Sequence, residues 1–421
     1  MRWLTLAIVL SLGATARADD PPVPFGFGDF TWANGQSRQK DFPLQISKAI
    51  TLSVYVDAYY AFSLNRPYDD TIKGSATLSR HNELQISLAS LGLEWNYRHV
   101  IGRLSVQYGT MINIVQDLDP SVNRGSGISA ANLRYIREAT LGYHWDRNAG
   151  INLEGGIFLS YIGLESYLVA ENWLYTRALA SDATPFYFQG LRFQWFPTVR
   201  FKVEAWLMNG WQTYAKESFA PAGGISLRWS PWEWISMVAN FYVGSDTPNQ
   251  PTRVRFHHDD SLVLRVYNRP ASRGLSKFAL SINNHGGFQQ GGQGPNLTNA
   301  YIGATALALR AWLHRDYVAL SARGEFFTNP SRYLVPNAPP GFATGAGTDM
   351  MVWGVAANVE LMPTDFFSVR AEVNWRHSTV PFFSGPEGVT SSSGFIPTSS
   401  SFVPSIRRNQ TLLIVAANFR L

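Results

Sequence analysis

The feature that most constrains this chain is a repeated alternation of apolar and polar residues with a period of two. In residues 49–64 the even positions from Ile50 to Phe62 are apolar, whereas the odd positions are mostly polar and include Asp57. Such alternation is typical of a β-strand whose two faces meet different environments.

Sixteen segments of this kind follow one another along the chain. They cover residues 49–64, 82–97, 101–112, 134–146, 150–163, 186–196, 199–210, 222–230, 232–244, 261–268, 275–284, 301–314, 317–327, 349–361, 366–377 and 409–421. Seven short turns alternate strictly with eight long loops between them. An even strand number with short turns on one side and long loops on the other is typical of bacterial outer-membrane barrels. The sequence therefore predicts an all-β fold, a transmembrane antiparallel β-barrel of about 16 strands with short periplasmic turns and long extracellular loops.

The cost of charge in hydrocarbon determines which face of each strand points inward. An Arg or Lys on the lipid face near the midplane costs about 2–4 kcal/mol, whereas the lumen tolerates charge. This rule predicts a pore lining that includes Arg103, Arg192, Lys202, Glu204, Arg228, Arg323, Glu325, Arg370, Glu372 and Arg376.

Tryptophans support the same orientation. Trp95, Trp145, Trp195 and Trp229 fall on the outward phase at the ends of descending strands. Their repeated position predicts an aromatic girdle at the periplasmic interface. Arg137 is an exception to the charge rule, since it falls on the outward phase near the loop end of its strand, where it could snorkel to the interface.

The N-terminus has the pattern of a secretory signal peptide. A positive Arg2, an apolar stretch over residues 3–12 and the small residues Ala16 and Ala18 are its three parts. We predict a signal peptide at 1–18, an N-terminal periplasmic or lumen-entering segment at 19–48 and the transmembrane β-barrel at 49–421. The net charge of +5 is too mild and dispersed to predict nucleic-acid binding, and the absence of cysteine excludes disulfides.

Residues 164–185 connect the fifth and sixth predicted strands and therefore form the third extracellular loop. The charged residues singled out in this loop are Glu165, Glu171, Arg177 and Asp182. By analogy with outer-membrane barrels in which a loop folds inward, we predict a pore constriction whose charges face basic wall residues such as Arg192 and Lys202. The alternative is an ordinary surface loop packed by Trp173 and Tyr175.

Two further motifs are interpreted as loops. The glycine-rich residues 286–294 open no helix, so we predict a flexible extracellular loop instead of a phosphate cradle. The run His257-His258-Asp259-Asp260 could bind a divalent ion, but it falls at a predicted loop–strand boundary without a distant third ligand set. We therefore predict a solvated loop there, and no metal or cofactor.

Several short motifs resemble a known family. They are Phe30-Thr-Trp-Ala-Asn34-Gly35, Tyr161-Ile-Gly163-Leu-Glu165-Ser-Tyr167, Glu171-Asn172-Trp173, Tyr175-Thr-Arg177, Pro185-Phe186, Gly190 and Asn209-Gly210-Trp211. With these motifs the chain is similar to the OmpL-like β-barrel porin family of bacterial outer membranes, most clearly over residues 135–212. The resemblance implies a porin-like barrel and says little about the solute.

We therefore predict an outer-membrane porin that allows passive diffusion of small hydrophilic solutes or ions through a water-filled β-barrel. The expected partners are outer-membrane lipid and these solutes, and a homo-oligomer is left open. Two other classes of function remain as alternatives. A phospholipase-like barrel enzyme would need a Ser, a His and an orienting partner at the lipid interface, and no such pairing is derivable from one sequence. A structural or adhesive barrel without transport is the other.

Overall fold

The computed structural model describes residues 43–116, 119, 121, 130–216, 218, 220–247, 250–292, 299–339, 342, 349–388 and 404–421. The predicted signal peptide, and the predicted N-terminal segment up to residue 42, lie outside these ranges. Among the described helices, none is both long and apolar enough to cross a membrane.

The strands and helices are short and follow each other closely. The strands are β1 (Gln45–Ser47), β2 (Ile50–Ser63), β3 (Leu84–Tyr97), β4 (Val100–Tyr108), β5 (Ile136–Trp145), β6 (Ile151–Leu159), β7 (Tyr187–Thr198), β8 (Phe201–Met208), β9 (Ala222–Trp232), β10 (Ile235–Gly244), β11 (Val254–Asn268), β12 (Leu275–Gln290), β13 (Ala300–Leu313), β14 (Val318–Thr328), β15 (Met351–Leu361), β16 (Phe367–Ser378), β17 (Phe383–Gly388), β18 (Pro404–Arg407) and β19 (Asn409–Arg420). The helices are Thr110–Gln116, Ala130–Leu133 and Leu179–Ala183, with a 3₁₀ helix at Val169–Glu171.

Sixteen of these strands form one closed antiparallel barrel. Strands β2 to β16 pair with their neighbours in chain order, and β19 pairs with both β16 and β2. The predicted sixteen-stranded barrel is thus confirmed. Outside the ring, β1 pairs with the first residues of β2, and β17 pairs with β18 in a separate two-stranded sheet. Because the ring has no edge strand, its backbone groups are satisfied without water.

Two strands are longer than predicted. Strand β11 begins at Val254, seven residues before the predicted start, and β12 continues to Gln290. The run of residues 257–260 and the glycines Gly286 and Gly287 therefore lie in strands, which corrects their prediction as loops. The extension of β11 places His258 and Asp260 on the outward face, where ionisable groups are costly.

The predicted orientation of the girdle agrees with the exposure of the tryptophans. Trp145, Trp195 and Trp229 have large exposed faces. Trp95 instead lies across Gly102 of the neighbouring strand β4, where a Cβ atom would come within 2.2 Å of the indole ring. Because Gly102 has no side chain, the Trp95 ring can pack over this position of the wall.

Arg137 points into the barrel, which corrects its predicted outward position. The register between β4 and β5 shifts, so that Ser105 pairs with Glu138 whereas Val106 pairs with Ile136. The extra residue of such a bulge does not follow the alternation of the strand. Arg137 is only 4% exposed and donates a hydrogen bond of 3.2 Å to the Ser105 hydroxyl.

We predict that Gly156→Ala destabilises the barrel. Gly156 has a φ of +144°, and a Cβ atom there would lie 1.9 Å from the Ala139 carbonyl oxygen on β5. Strained backbone of this kind costs about 1–3 kcal/mol, so the midpoint of thermal unfolding in detergent should fall. Gly324→Ala is the matched control, because a Cβ at Gly324 meets nothing within 4 Å. Equal unfolding midpoints for the two variants would contradict the prediction.

Candidate functional site

The third loop, residues 164–185, lies inside the barrel. Tyr175 and Leu179 are fully buried, and Asp182 is 1% exposed. The loop contacts inward-facing side chains of β2, β13, β14 and β16, across the lumen from the strands β6 and β7 that it connects. Irregular backbone at this depth makes few hydrogen bonds with itself. Its N–H and C=O groups therefore need polar partners from the surrounding wall.

Arg323 on β14 holds the middle of the third loop. Its guanidinium donates hydrogen bonds to the carbonyl oxygens of Thr176 at 2.5 Å and Arg177 at 3.1 Å. It also forms an ion pair of 3.0 Å with Glu165 at the start of the loop. A charged donor with a rigid fork of N–H groups can serve several carbonyls at once, so this one side chain satisfies groups that water would otherwise bind.

Two wall carboxylates accept hydrogen bonds from loop amides. Glu372 on β16 accepts from the Tyr175 amide at 2.5 Å and from the Thr176 amide at 3.2 Å. Glu325 on β14 accepts from the Leu179 amide at 2.7 Å, at the first residue of the short helix. These charge-assisted bonds fix the position of the loop backbone on the far wall.

Two buried arginines of β16 also anchor the loop. Arg370 donates to the Val169 carbonyl at 3.0 Å, and Arg376 donates to the Arg177 carbonyl at 2.8 Å. Each is paired with a wall carboxylate, Arg370 with Glu360 at 3.0 Å and Arg376 with Glu325 at 2.8 Å. Full pairing is necessary here because an uncompensated buried charge costs several kcal/mol.

Arg192 and Lys202 border the same cavity as Glu165, Glu171 and Arg177, but each has an ion pair with a carboxylate of its own wall. Arg192 pairs with Glu154 at 2.6 Å and Lys202 with Glu204 at 2.9 Å, all on the wall beside the loop. Glu165 pairs instead with Arg323 on the opposite wall. The sequence indicated which charges face the lumen, but it did not indicate toward which wall the loop folds.

Arg177 and Asp182 form a buried pair within the loop. Their closest nitrogen and oxygen are 3.6 Å apart, and the Asp182 carboxylate also accepts a hydrogen bond of 3.0 Å from the Ala76 amide. Burial raises the pKa of Asp182 and lowers the pKa of Arg177, and the ion pair opposes both shifts. The Arg177 guanidinium lies over the Phe186 ring at 4.4 Å, which adds a cation–π contact.

A cavity of about 140 Å³ remains between the third loop and the wall that carries Arg192 and Lys202. Its basic lining residues are Arg103, Arg137, Arg177, Arg192 and Lys202, and its acidic ones are Glu94, Glu138, Glu154, Glu165, Glu171 and Glu204. Arg103 bridges two of the carboxylates, at 2.9 Å to Glu94 and 2.5 Å to Glu138. The cavity therefore presents both signs of charge on a rigidly paired wall.

The ten predicted pore-lining residues fall into separate groups. Four of them, Arg103, Arg192, Lys202 and Glu204, line this cavity. Five of them, Arg323, Glu325, Arg370, Glu372 and Arg376, lie against the third loop and anchor it. Arg228 is buried on β9 in register with Lys202. The strand alternation missed Arg137, which lines the cavity only because of the bulge.

Of the predicted constriction residues, Glu165, Glu171 and Arg177 line the cavity, whereas Asp182 does not. Asp182 is enclosed by Arg177 and the backbone of Ala76 and has a structural position.

We predict that Glu372→Ala releases the third loop. The substitution removes the acceptor of the Tyr175 and Thr176 amides, and each hydrogen bond to a charged group contributes about 1.5–3 kcal/mol. Limited trypsin digestion in detergent should therefore cleave after Arg177 faster than in the parent protein. The control is Glu94→Ala, since Glu94 is a buried acid that pairs with the wall residue Arg103. Equal cleavage rates for both variants would count against the anchoring role.

Solved structures of outer-membrane proteins share this fold. An anion-selective porin from Comamonas acidovorans is 8% identical, with a TM-score of 0.55 over 89% of this chain and 99% of that one. OmpT, an outer membrane protein of Vibrio cholerae, is 10% identical, with a TM-score of 0.52 over 90% of this chain and 100% of that one. The outer membrane channel DcaP of Acinetobacter baumannii is 10% identical, with a TM-score of 0.52 over 88% and 97%.

At the level of sequence, one family model covers the barrel. The family described as "Putative beta-barrel porin-2, OmpL-like" matches residues 49–421. A search of curated proteins finds no match.

Proposed function

Because the chain belongs to this family of OmpL-like β-barrel porins, we propose that small hydrophilic solutes or ions diffuse passively through the cavity beside the third loop. Porin function and a location in the bacterial outer membrane follow from the family, whose model spans the whole barrel. The proposal adds the route, the class of solute and the part played by the loop.

The observation that carries the proposal is the anchoring of the middle of the third loop, residues 175–179, to the wall formed by β14 and β16. Its backbone is fixed to β14 and β16 by Arg323, Glu372 and Arg376, so the loop occupies that side of the lumen. The space that remains borders the opposite wall, where the side chains are charged. A solute that follows this route exchanges its water for contacts with paired charges, which favours small hydrophilic molecules and ions.

The upper part of the same wall restricts the route further. The Arg192 guanidinium lies 4.8 Å from the Phe158 ring centre and 5.5 Å from that of Trp206. Tyr161 stacks on Trp206 with ring centres 4.9 Å apart. These large buried rings narrow the lumen, so we propose a channel for small solutes rather than a wide general pore.

Family membership favours passage over the phospholipase-like and adhesive alternatives. Diffusion needs no chemical step, and we assign no catalytic role to the residues that line the cavity. We expect selectivity to come from the width of the cavity and from its charged lining.

We predict that a charged group attached at Ser160 blocks the channel. The chain has no native cysteine, so Ser160→Cys provides a single reactive thiol in the cavity lining. Reaction with a positively charged methanethiosulfonate should strongly lower single-channel conductance in planar bilayers. Ser281→Cys is the control, because Ser281 faces the lumen from β12 outside the cavity lining. A block at position 281 without one at 160 would place the route elsewhere.

We predict that Glu171→Gln shifts ion selectivity toward anions. Glu171 lines the cavity, and within the described residues its carboxylate forms no ion pair, so its charge acts directly on passing ions. The reversal potential in a KCl gradient measures the change. Glu233→Gln is a matched control, since the Glu233 side chain is 79% exposed in the turn between β9 and β10. An unchanged reversal potential for Glu171→Gln would remove this residue from the route.

A further inference from the structure

Polar side chains form a continuous row on the outer wall of the barrel. Asp260 of β11, Asn284 of β12 and Thr305 of β13 are direct partners in strand register. His258 lies two residues before Asp260 on the same face. We call these four residues the outer polar row. Their alternation partners His257 and Asp259 point into the lumen and are fully buried, whereas the Asp260 side chain is 47% exposed.

The members of the outer polar row bind one another. The Asn284 amide donates to the Asp260 carboxylate at 2.9 Å, and the Thr305 hydroxyl donates to the Asn284 oxygen at 2.9 Å. His258 has one ring nitrogen 3.4 Å from the Asp260 carboxylate and the other 3.0 Å from the Asn240 carbonyl. Both ring nitrogens therefore face oxygen atoms.

The row lies within the hydrocarbon band. On the extracellular side, Phe256 and Phe288 stack with ring centres 5.3 Å apart, and the neighbouring Tyr301 is 55% exposed, as in an interfacial girdle. Asp260 follows Phe256 by four residues, which is about 13 Å along the strand. With a strand tilt of about 40°, the row lies about 10 Å below these aromatics, inside a band about 25 Å tall.

The rest of the outer wall offers lipid an apolar surface. Away from the strand ends, the other outward side chains of the described barrel strands are apolar or absent, as at Leu141, Val355, Val373 and Val415. Polar and ionisable groups in hydrocarbon are costly, and such groups mark a functional site by default. Four of them in one row on three adjacent strands therefore need a polar neighbour that lipid tails do not supply.

The outer surface beside the row is recessed. Gly286 and Gly303 are in register with His258 and with each other on the extracellular side of the row. A Cβ atom at Gly286 would meet nothing within 4 Å, so the two glycines leave a depression beside the row. Small residues at such a place let the backbone of a neighbouring protein approach closely.

We propose that the outer polar row is a contact surface between copies of this chain, where rows from different copies meet at a symmetry axis along the membrane normal. A second copy inserted in the same direction presents its own row at the same depth. The row holds donors and acceptors together, and Asn284 keeps one amide N–H and Asp260 keeps lone pairs beyond the bonds described. The row is therefore self-complementary, as a symmetric contact requires.

The proposal is independent of the solute and of the route through the lumen. The occupant is a second copy rather than lipid, because hydrocarbon tails offer no hydrogen-bonding groups at this depth. On the second copy, the surface that meets the row is that copy's own row, since the remaining outer wall of the described barrel strands is apolar at this level.

Single cysteines test the contact in native membranes, because the parent chain has none. Ile282→Cys lies next to the row on β12, and Leu104→Cys lies on the outer face of β4, eight strands away around the ring. A short bismaleimide should join two copies at position 282 and not at 104. Linking at 104 as efficient as at 282, or no linking at 282, would overturn the proposal.

A second set of variants separates the contact from folding. His258→Leu, Asp260→Leu and Asn284→Leu together replace three of the four polar side chains of the row with apolar ones, which the bilayer tolerates, so the barrel should still fold and conduct. In this background, linking at position 282 should fall by about tenfold, which corresponds to about 1.4 kcal/mol of contact free energy. Undiminished linking would show that the polar row is not the contact, whatever the conductance of the channel.

Discussion

The hydrogen bonding of the backbone in a medium without water is the constraint on which the rest of this structure depends. Strand β19 pairs on one side with β16 and on the other with β2, and this closure leaves no edge strand in the ring. A closed ring of this size needs strands with one face to lipid and one to the lumen. The period-two alternation along the sequence is the direct consequence, and the short turns and long loops follow from the two sides of the membrane.

The same constraint explains the third loop. A loop inside the barrel has irregular backbone, and its N–H and C=O groups need partners that neither a helix nor a strand ladder supplies. Arg323, Glu325 and Glu372 supply them, and each of these groups also faces an opposite charge within the network. A row of apolar residues on β14 and β16 would pack against the loop without satisfying its backbone. The charges of the far wall are thus part of the architecture, whereas Arg192 and its neighbours line the cavity.

Much of the barrel could be predicted from the sequence, and the reasons for the remainder are physical. The face of each strand follows from a local rule, and this alternation places Glu204, Arg323 and Arg370 on the inward face, where all three are buried. The wall toward which the third loop folds depends on contacts between residues about 150 to 200 positions apart, such as Glu372 with Thr176, and no local pattern encodes them. A bulge also leaves little trace in the sequence, which is why Arg137 was misplaced.

Arg137 and Asp260 are both ionisable residues on the outward phase of a strand, and the structure treats them in opposite ways. At Arg137 the register shifts by one residue, and the side chain turns into the lumen, so the conflict with lipid disappears. At Asp260 the register with β10 and β12 continues without a shift, and the carboxylate stays on the outer wall. A bulge can therefore turn an outward ionisable residue into the lumen in this fold, but β11 has no bulge at Asp260. Polar side chains thus stay on the outer wall over three strands and hydrogen-bond one another. This is the arrangement expected of a surface that meets protein instead of lipid.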